Sequence, residues 1–143
     1  MPLKRKQYGR RSCIEILAEV FLIMANASVE FSKGNVTIDN EVIAQICGII
    51  TTGCYGVVGI AHASKKKGIT ALLIKDTYSK GVNVYVSPDK KISVDIHIIV
   101  EYGVNIQTIS DSIISNVKYH LNYMTGLETD SVKVFVDGTR VRE

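Results

Sequence analysis

Asp95, His97 and Glu101 fall on the same parity of one apolar run, Ile92-Ser93-Val94-Asp95-Ile96-His97-Ile98-Ile99-Val100-Glu101-Tyr102. Residues two apart in an extended chain share a face. The trio is therefore the best candidate in the chain for a metal site or an acid–base pair, both of which need carboxylate and imidazole groups that converge. The competing reading is a solvated sheet face, because alternation alone puts polar residues opposite Ile92, Val94, Ile96, Ile98 and Val100. The other reactive groups are scattered. His62 and His120 lie far from His97 in sequence, and Cys47 and Cys54 stand seven apart across an expected helix end. Cys54 would sit near the negative end of that helix, which disfavours a thiolate. Gly53, Gly56 and Gly59 come after a helix and before a strand, the reverse of a phosphate-binding loop, so they read as turn and cap residues. Lys65, Lys66 and Lys67 read as a solvated loop. Tyr78, Tyr85 and Tyr102 have no basic groove beside them to make a base-stacking surface, and Tyr119 and Tyr123 read as helix-flank packing.

The elements that must position these groups follow from hydrophobic period. Val36 and Ile38 alternate as a short strand, and Asp39 is placed to cap a helix, with Ile38 and Ile43 as its hydrophobic staple. Val42, Ile46, Ile49 and Gly53 mark its stripe, widened by Ile43, Cys47 and Ile50. Gly53 is its expected C-cap. Val57 and Val58 lead the next strand. Ile69, Leu72 and Leu73 have helical spacing, so 69–75 is expected to be a short helix, with a strand as the alternative. Val82, Val84 and Val86 form a strand that turns at Ser87-Pro88-Asp89 into the long run above, an antiparallel hairpin. Asn105 caps a second long helix with the stripe Ile106, Ile109, Ile113, Val117, Leu121 and Met124, ended by Gly126. Val132, Val134 and Val136 form a last strand closed by Asp137-Gly138. The order β-α-β-(short α)-β-β-α-β predicts an α+β fold, a two-layer α/β sandwich: a mixed sheet of about five strands with two long helices on one face. The opposite face, with Asp95, His97, Ile99 and Glu101, is then the candidate interaction surface.

Composition narrows the function classes. The 143 residues are 46% hydrophobic and 22% charged, ordinary for one soluble domain. Three cysteines suggest no disulfide framework and a reducing compartment, and no apolar run reaches membrane-spanning length. The net charge of +3 comes from residues 1–23, where five Lys/Arg (Lys4, Arg5, Lys6, Arg10, Arg11) face Glu15 and Glu19. The rest is neutral and offers no general attraction for nucleic acid or anionic lipid.

Residues 1–23 admit three readings. A signal peptide would use the apolar stretch 14–24 and Ala25-Asn26-Ala27, but Glu15 and Glu19 interrupt it. An amphipathic helix would gather Ile14, Leu17, Ala18, Phe21 and Leu22. The favoured reading is a natural start at Met24: Glu19-Val20 can be encoded by GAG-GTN, a bacterial ribosome-binding sequence shortly before that codon.

Several segments together resemble the alkaline shock protein, or envelope stress response, family of Gram-positive bacteria. They are Gly34-Asn-Val-Thr-Ile, Asn40-Glu41-Val42-Ile43-Ala44, Cys54-Tyr55-Gly56-Val57-Val58-Gly59, Tyr102-Gly103-Val104-Asn105-Ile106, and Gly126-Leu127 followed by Asp130-Ser131-Val132-Lys133-Val134. The chain looks most like the small, stand-alone-domain YloU-type members, over a single domain at 28–142. The resemblance implies a cytoplasmic, non-enzymatic interaction or scaffold protein for envelope homeostasis or stress, positioned at the inner face of the membrane through a separate anchor protein. It implies protein partners and self-association, no cofactor, no small-molecule substrate and no nucleic acid. The extended charged tails of larger relatives are missing here. A metal-dependent or acid–base enzyme using Asp95, His97 and Glu101 is the alternative, and a nucleic-acid-binding module is the second.

Overall fold

The computed structural model describes residues 26–62, 71–72, 78 and 80–141. The expectations for residues 1–23 and the lysine run lie outside these. The described chain starts with a hairpin. β1 (Ala27–Phe31) and β2 (Gly34–Ile38) pair antiparallel from Ala27↔Ile38 to Phe31↔Gly34. Val36 and Ile38 are therefore in a strand as expected, but it pairs with β1 in a separate two-stranded sheet. The short Ser32–Lys33 connection makes this local pairing cheap in loop entropy.

The main sheet is built around one strand. β3 (Val57–His62), β4 (Ala71–Leu72), β5 (Val82–Val86), β6 (Lys91–Glu101) and β7 (Glu128–Arg140) form five strands, and β6 touches three of the others. β7 runs parallel to it over its whole length. The opposite edge of β6 is shared: β5 takes Ile92 to Ile96 and β3 takes Ile98 to Val100, both antiparallel. The β5–β6 turn is closed by Ser87 N–H to Lys91 O at 2.8 Å. Ala71 and Leu72 pair with His62 and Ala61 as strand. This corrects the short helix expected over 69–75, whose other residues are not described: the edge of β3 offers backbone partners, and they outweigh the spacing of three apolar residues.

Two helices supply the rest of the core. α1 (Asn40–Thr52) follows β2, and α2 (Ile106–Thr125) is the crossover that a parallel β6–β7 pair requires. Ile92, Val94, Ile96, Ile98 and Val100 of β6 are fully buried in one cluster with Ile43 and Cys47 of α1 and Ile113, Val117 and Leu121 of α2. Each such burial is worth roughly 1.5–3 kcal/mol. α2 matches its expected caps: Asn105 Oδ1 accepts from Thr108 N–H at 3.1 Å, and Gly126 ends the helix in the left-handed region at φ 69°. Its stripe is shorter than expected, because Ile106 and Met124 at the two ends are exposed.

The buried face of α1 includes Ile43 and Cys47 of the expected stripe, with Ile46 and Ile50 packed against the core, but it is turned away from Val42 and Ile49. Val42 and Ile49 are 46% and 60% exposed, while Ile43, Ala44, Cys47, Gly48 and Thr51 are buried. The small residues win because they let the helix approach the sheet. A Cβ on Gly48 would stand 2.6 Å from the Cβ of Tyr78 and 3.1 Å from Ile60 Cδ1. Thr51 satisfies its buried hydroxyl by donating to Cys47 O at 2.7 Å. Asp39 has the extended backbone of an N-cap, but its side chain makes no cap bond; its carbonyl accepts from Val42 and Ile43 instead. Gly53 stands at the C-cap in right-handed conformation.

Candidate interaction surface

β6 carries two chemically distinct faces because its side chains alternate. Opposite the core lie Ser93, Asp95, His97, Ile99 and Glu101, half-buried except for Ile99, which is buried. Neighbouring strands set what each one meets. On the β7 side, Ser93 faces Ser131, Asp95 faces Lys133 and His97 faces Phe135. On the other side, Ser93 faces Tyr85 and Asp95 faces Asn83, with Ile99 opposite Gly59 further along.

His97 is the best-held polar side chain on this face. Its ring stacks on Phe135 with centroids 4.8 Å apart and planes 14° from parallel. Its Nδ1 lies 2.9 Å from Asp137 Oδ2. An ionised carboxylate only accepts, so Nδ1 carries the proton and donates, and a neutral ring presents Nε2 as an acceptor. The side chains of His97 and Asp137 are 19% and 26% exposed.

The contact sits at a bulge. Ile98 pairs with Val136 and Ile99 with Gly138, so Asp137 is the extra residue of β7. Alternation puts Asp137 on the face of Lys133 and Phe135, and as an extra residue between the Ile98 and Ile99 levels it reaches His97. The sequence reading ended the last strand at Asp137-Gly138, whereas β7 continues to Arg140. Asp137 and Phe135 were thus missed. The alternation of Val132, Val134 and Val136 was enough to place Lys133, Phe135 and Asp137 together on the outer face; no local signal announced the bulge.

The expected trio does not converge. Asp95 and His97 are successive residues on one face, roughly 6.5 Å apart along the strand, and Glu101 is about twice as far again from His97. The carboxylate that His97 meets is Asp137. Among the described residues no three His, Cys, Asp or Glu side chains gather as a metal would need. The remaining reactive groups are dispersed. His62 ends β3, and His120 on α2 meets Tyr119 edge-on at 5.3 Å. Burial pushes the Cys47 thiol up to about 12. Cys54 Sγ lies 3.4 Å from Ile50 O and 3.5 Å from Asn116 Nδ2. Tyr119 and Tyr123, expected to pack on the helix flank, are exposed and stack on each other at 6.3 Å. Gly56 holds φ 82° in the turn into β3 and accepts Glu101 N–H at 2.9 Å, a structural role as expected. No described helix is long and apolar enough to cross a membrane.

Residues 28–141 match the model of the alkaline shock protein 23 family, described by a cell envelope-related function. The chain is 40% identical over 109 residues to the uncharacterized protein YloU of Bacillus subtilis, covering 76% of this chain and 90% of that one. It is 39% identical over 114 residues to the uncharacterized protein Spy1614 of Streptococcus pyogenes, covering 79% and 93%. A stress response regulator gls24 homolog of Streptococcus pyogenes is 32% identical over 111 residues, 78% of this chain and 62% of that protein. No solved structure gives a match. With the family model spanning nearly all of the described chain and two relatives aligned along most of their own length, the chain belongs to the alkaline shock protein 23 family.

Proposed function

We propose that this protein is a non-enzymatic interaction or scaffold protein contributing to cell-envelope homeostasis or the stress response. The observation that carries the proposal is the family match, with its cell envelope-related description and a relative named as a stress response regulator. The surface supports it. Asp95, His97, Ile99 and Glu101 lie along one strand, and His97 is fixed by Phe135 and Asp137, so a partner would meet side chains already ordered. In this reading the helices form one layer, the sheet a second, and the half-buried Asp95, His97 and Glu101 on the outer sheet face do the binding around the buried Ile99. The partners are proteins, including further copies of the chain, and a separate anchor protein brings the domain, residues 28–142, to the inner face of the membrane. The protein acts in the cytoplasm, without cofactor, small-molecule substrate or nucleic acid.

Affinity capture from cells tests this. The tagged full chain should retain a defined set of proteins that Asp95→Ala combined with Glu101→Ala loses. Identical sets from both baits, or no retained protein at all, would count against it.

A further inference from the structure

The helical layer has an apolar outer surface. Val42 and Ile49 of α1 and Tyr119, Tyr123 and Met124 of α2 are exposed on it. The topology sets the two helices side by side. α1 starts against β5, where Asn40, Glu41 and Ala44 line a cleft with Val82–Tyr85, and it ends by leading into β3, whose Val57 pairs with Val100. α2 starts after Glu101 and ends just before β7 pairs with Lys91, so it runs antiparallel to α1. The helices meet where Asn116 Nδ2 stands 3.5 Å from Cys54 Sγ. Tyr119 and Tyr123 follow Asn116 by three and seven residues and share its side of α2. Ile50 and Ile46 precede Cys54 by four and eight residues, pack partly on the core, and have Val42 and Ile49 next to them on the outward side. The chain enters at one end of this surface. Ala27 is buried and pairs with Ile38, which directly precedes the Asp39 cap of α1. Paired Cα atoms stand about 5 Å apart, so the residues before Ala27 arrive beside the start of α1.

We propose that residues 14–24 of this chain dock as a third helix on the outer surface of α1 and α2, antiparallel to α1. Ile14, Leu17, Ala18, Phe21 and Leu22, which share one helical face, then cover Val42, Ile46, Ile49 and the Tyr119–Tyr123 stack. Length and point of entry fit this occupant. From Met24 back to Arg11 is 13 residues, and α1 is also 13 residues, so each spans roughly 20 Å as helix. With Met24 near the start of α1, Arg10 and Arg11 reach its other end. That end carries the negative pole of the helix and has no basic residue in its last turn. The two arginines supply the missing positive charge, while Glu15 and Glu19 lie outside the docked face. Of the three readings of residues 1–23, the proposal takes the amphipathic helix. The sequence could not favour it, because the seat is formed by two helices some 60 residues apart in the chain.

The test is hydrogen–deuterium exchange, read by mass spectrometry, on the full chain and on three variants. Ile49→Asp and Tyr123→Asp each put a charge on the seat at an exposed position; Leu17→Asp puts one on the docked face. In the wild type the amides of residues 14–24 should exchange about tenfold or more slower than in an unstructured chain. Each of the three substitutions should remove that protection, while the amides of β6 stay protected and show that the core is intact. Residues 14–24 unprotected in the wild type would overturn the proposal. Protection that Leu17→Asp removes and both seat variants keep would place the segment elsewhere and overturn it too. Protection that falls on dilution of the wild type would put the segment on a second copy, with the same consequence. None of these outcomes touches the outer sheet face on the far side of the domain, which stands or falls on its capture experiment.

Discussion

His97 and Asp137 are 40 residues apart in sequence, yet Nδ1 of one lies 2.9 Å from Oδ2 of the other. The contact joins the central strand of the sheet to its edge strand and fixes the ring that stacks on Phe135.

That contact should be measurable as a coupling. In a double-mutant cycle of His97→Gln and Asp137→Asn, urea denaturation at neutral pH should give a coupling energy of about 0.5–1 kcal/mol, the range for a partly exposed polar pair. Additive single effects would mean the two side chains do not interact in solution.

The buried face of α1 predicts an asymmetry that hydrophobicity does not. Ile43→Ala should cost about 2–5 kcal/mol, because it leaves a cavity at a fully buried site. Ile49→Ala, at a position 60% exposed, should fall within about 0.5 kcal/mol of the wild type. Equal losses in the unfolding midpoint would place the helix on its other face.

Gly48→Ala sets two effects against each other. Helix propensity favours alanine by about 1 kcal/mol. The added Cβ, however, would lie 2.6 Å from the Cβ of Tyr78, an atom tied to the backbone. Overpacking of that kind costs about 1–3 kcal/mol. The variant should therefore melt below the wild type in a thermal scan, and a rise in the melting temperature would refute the close approach of α1 to Tyr78.

Cys47 makes stability depend on alkaline pH. Burial pushes its thiol from 9.0 up to about 12, so over that interval the unfolded chain releases a proton that the folded chain keeps. The contribution is present in full below about 9 and is lost as the pH climbs toward about 12. In that window the wild type should lose up to about 1.4 kcal/mol per pH unit more than Cys47→Ala. Parallel pH profiles from urea denaturation would sink this assignment. Cys47 should also resist thiolate-directed alkylation until the protein unfolds.

Legibility in the sequence followed the range of the interactions. β6, the β5–β6 hairpin, the Asn105 cap and the Gly126 stop were readable because each rests on period or on bonds within a few residues. α1 was legible as a helix, with Ile43 and Cys47 of its stripe buried and Ile46 and Ile50 packed against the core, but Val42 and Ile49 face out and Ala44, Gly48 and Thr51 are buried in their place: these carry little hydrophobic signal, and the value of Gly48 lies in how near Tyr78 and Ile60 come. Val36 and Ile38 were read as strand, but their partner β1 could not be, since pairing is a relation between segments. Tyr119 and Tyr123 show the converse: two aromatic side chains at helical spacing look like helix-flank packing, yet they stack on each other in solvent.

By itself the sequence determined the α+β class, the long central strand and the family pattern, because backbone period and motif order are local and survive without coordinates. Only the tertiary structure decided which carboxylate His97 meets. Asp95 and Glu101 are near it along the chain but cannot converge on an extended strand, whereas the parallel pairing of β7 with β6 brings Asp137 beside it from 40 residues away.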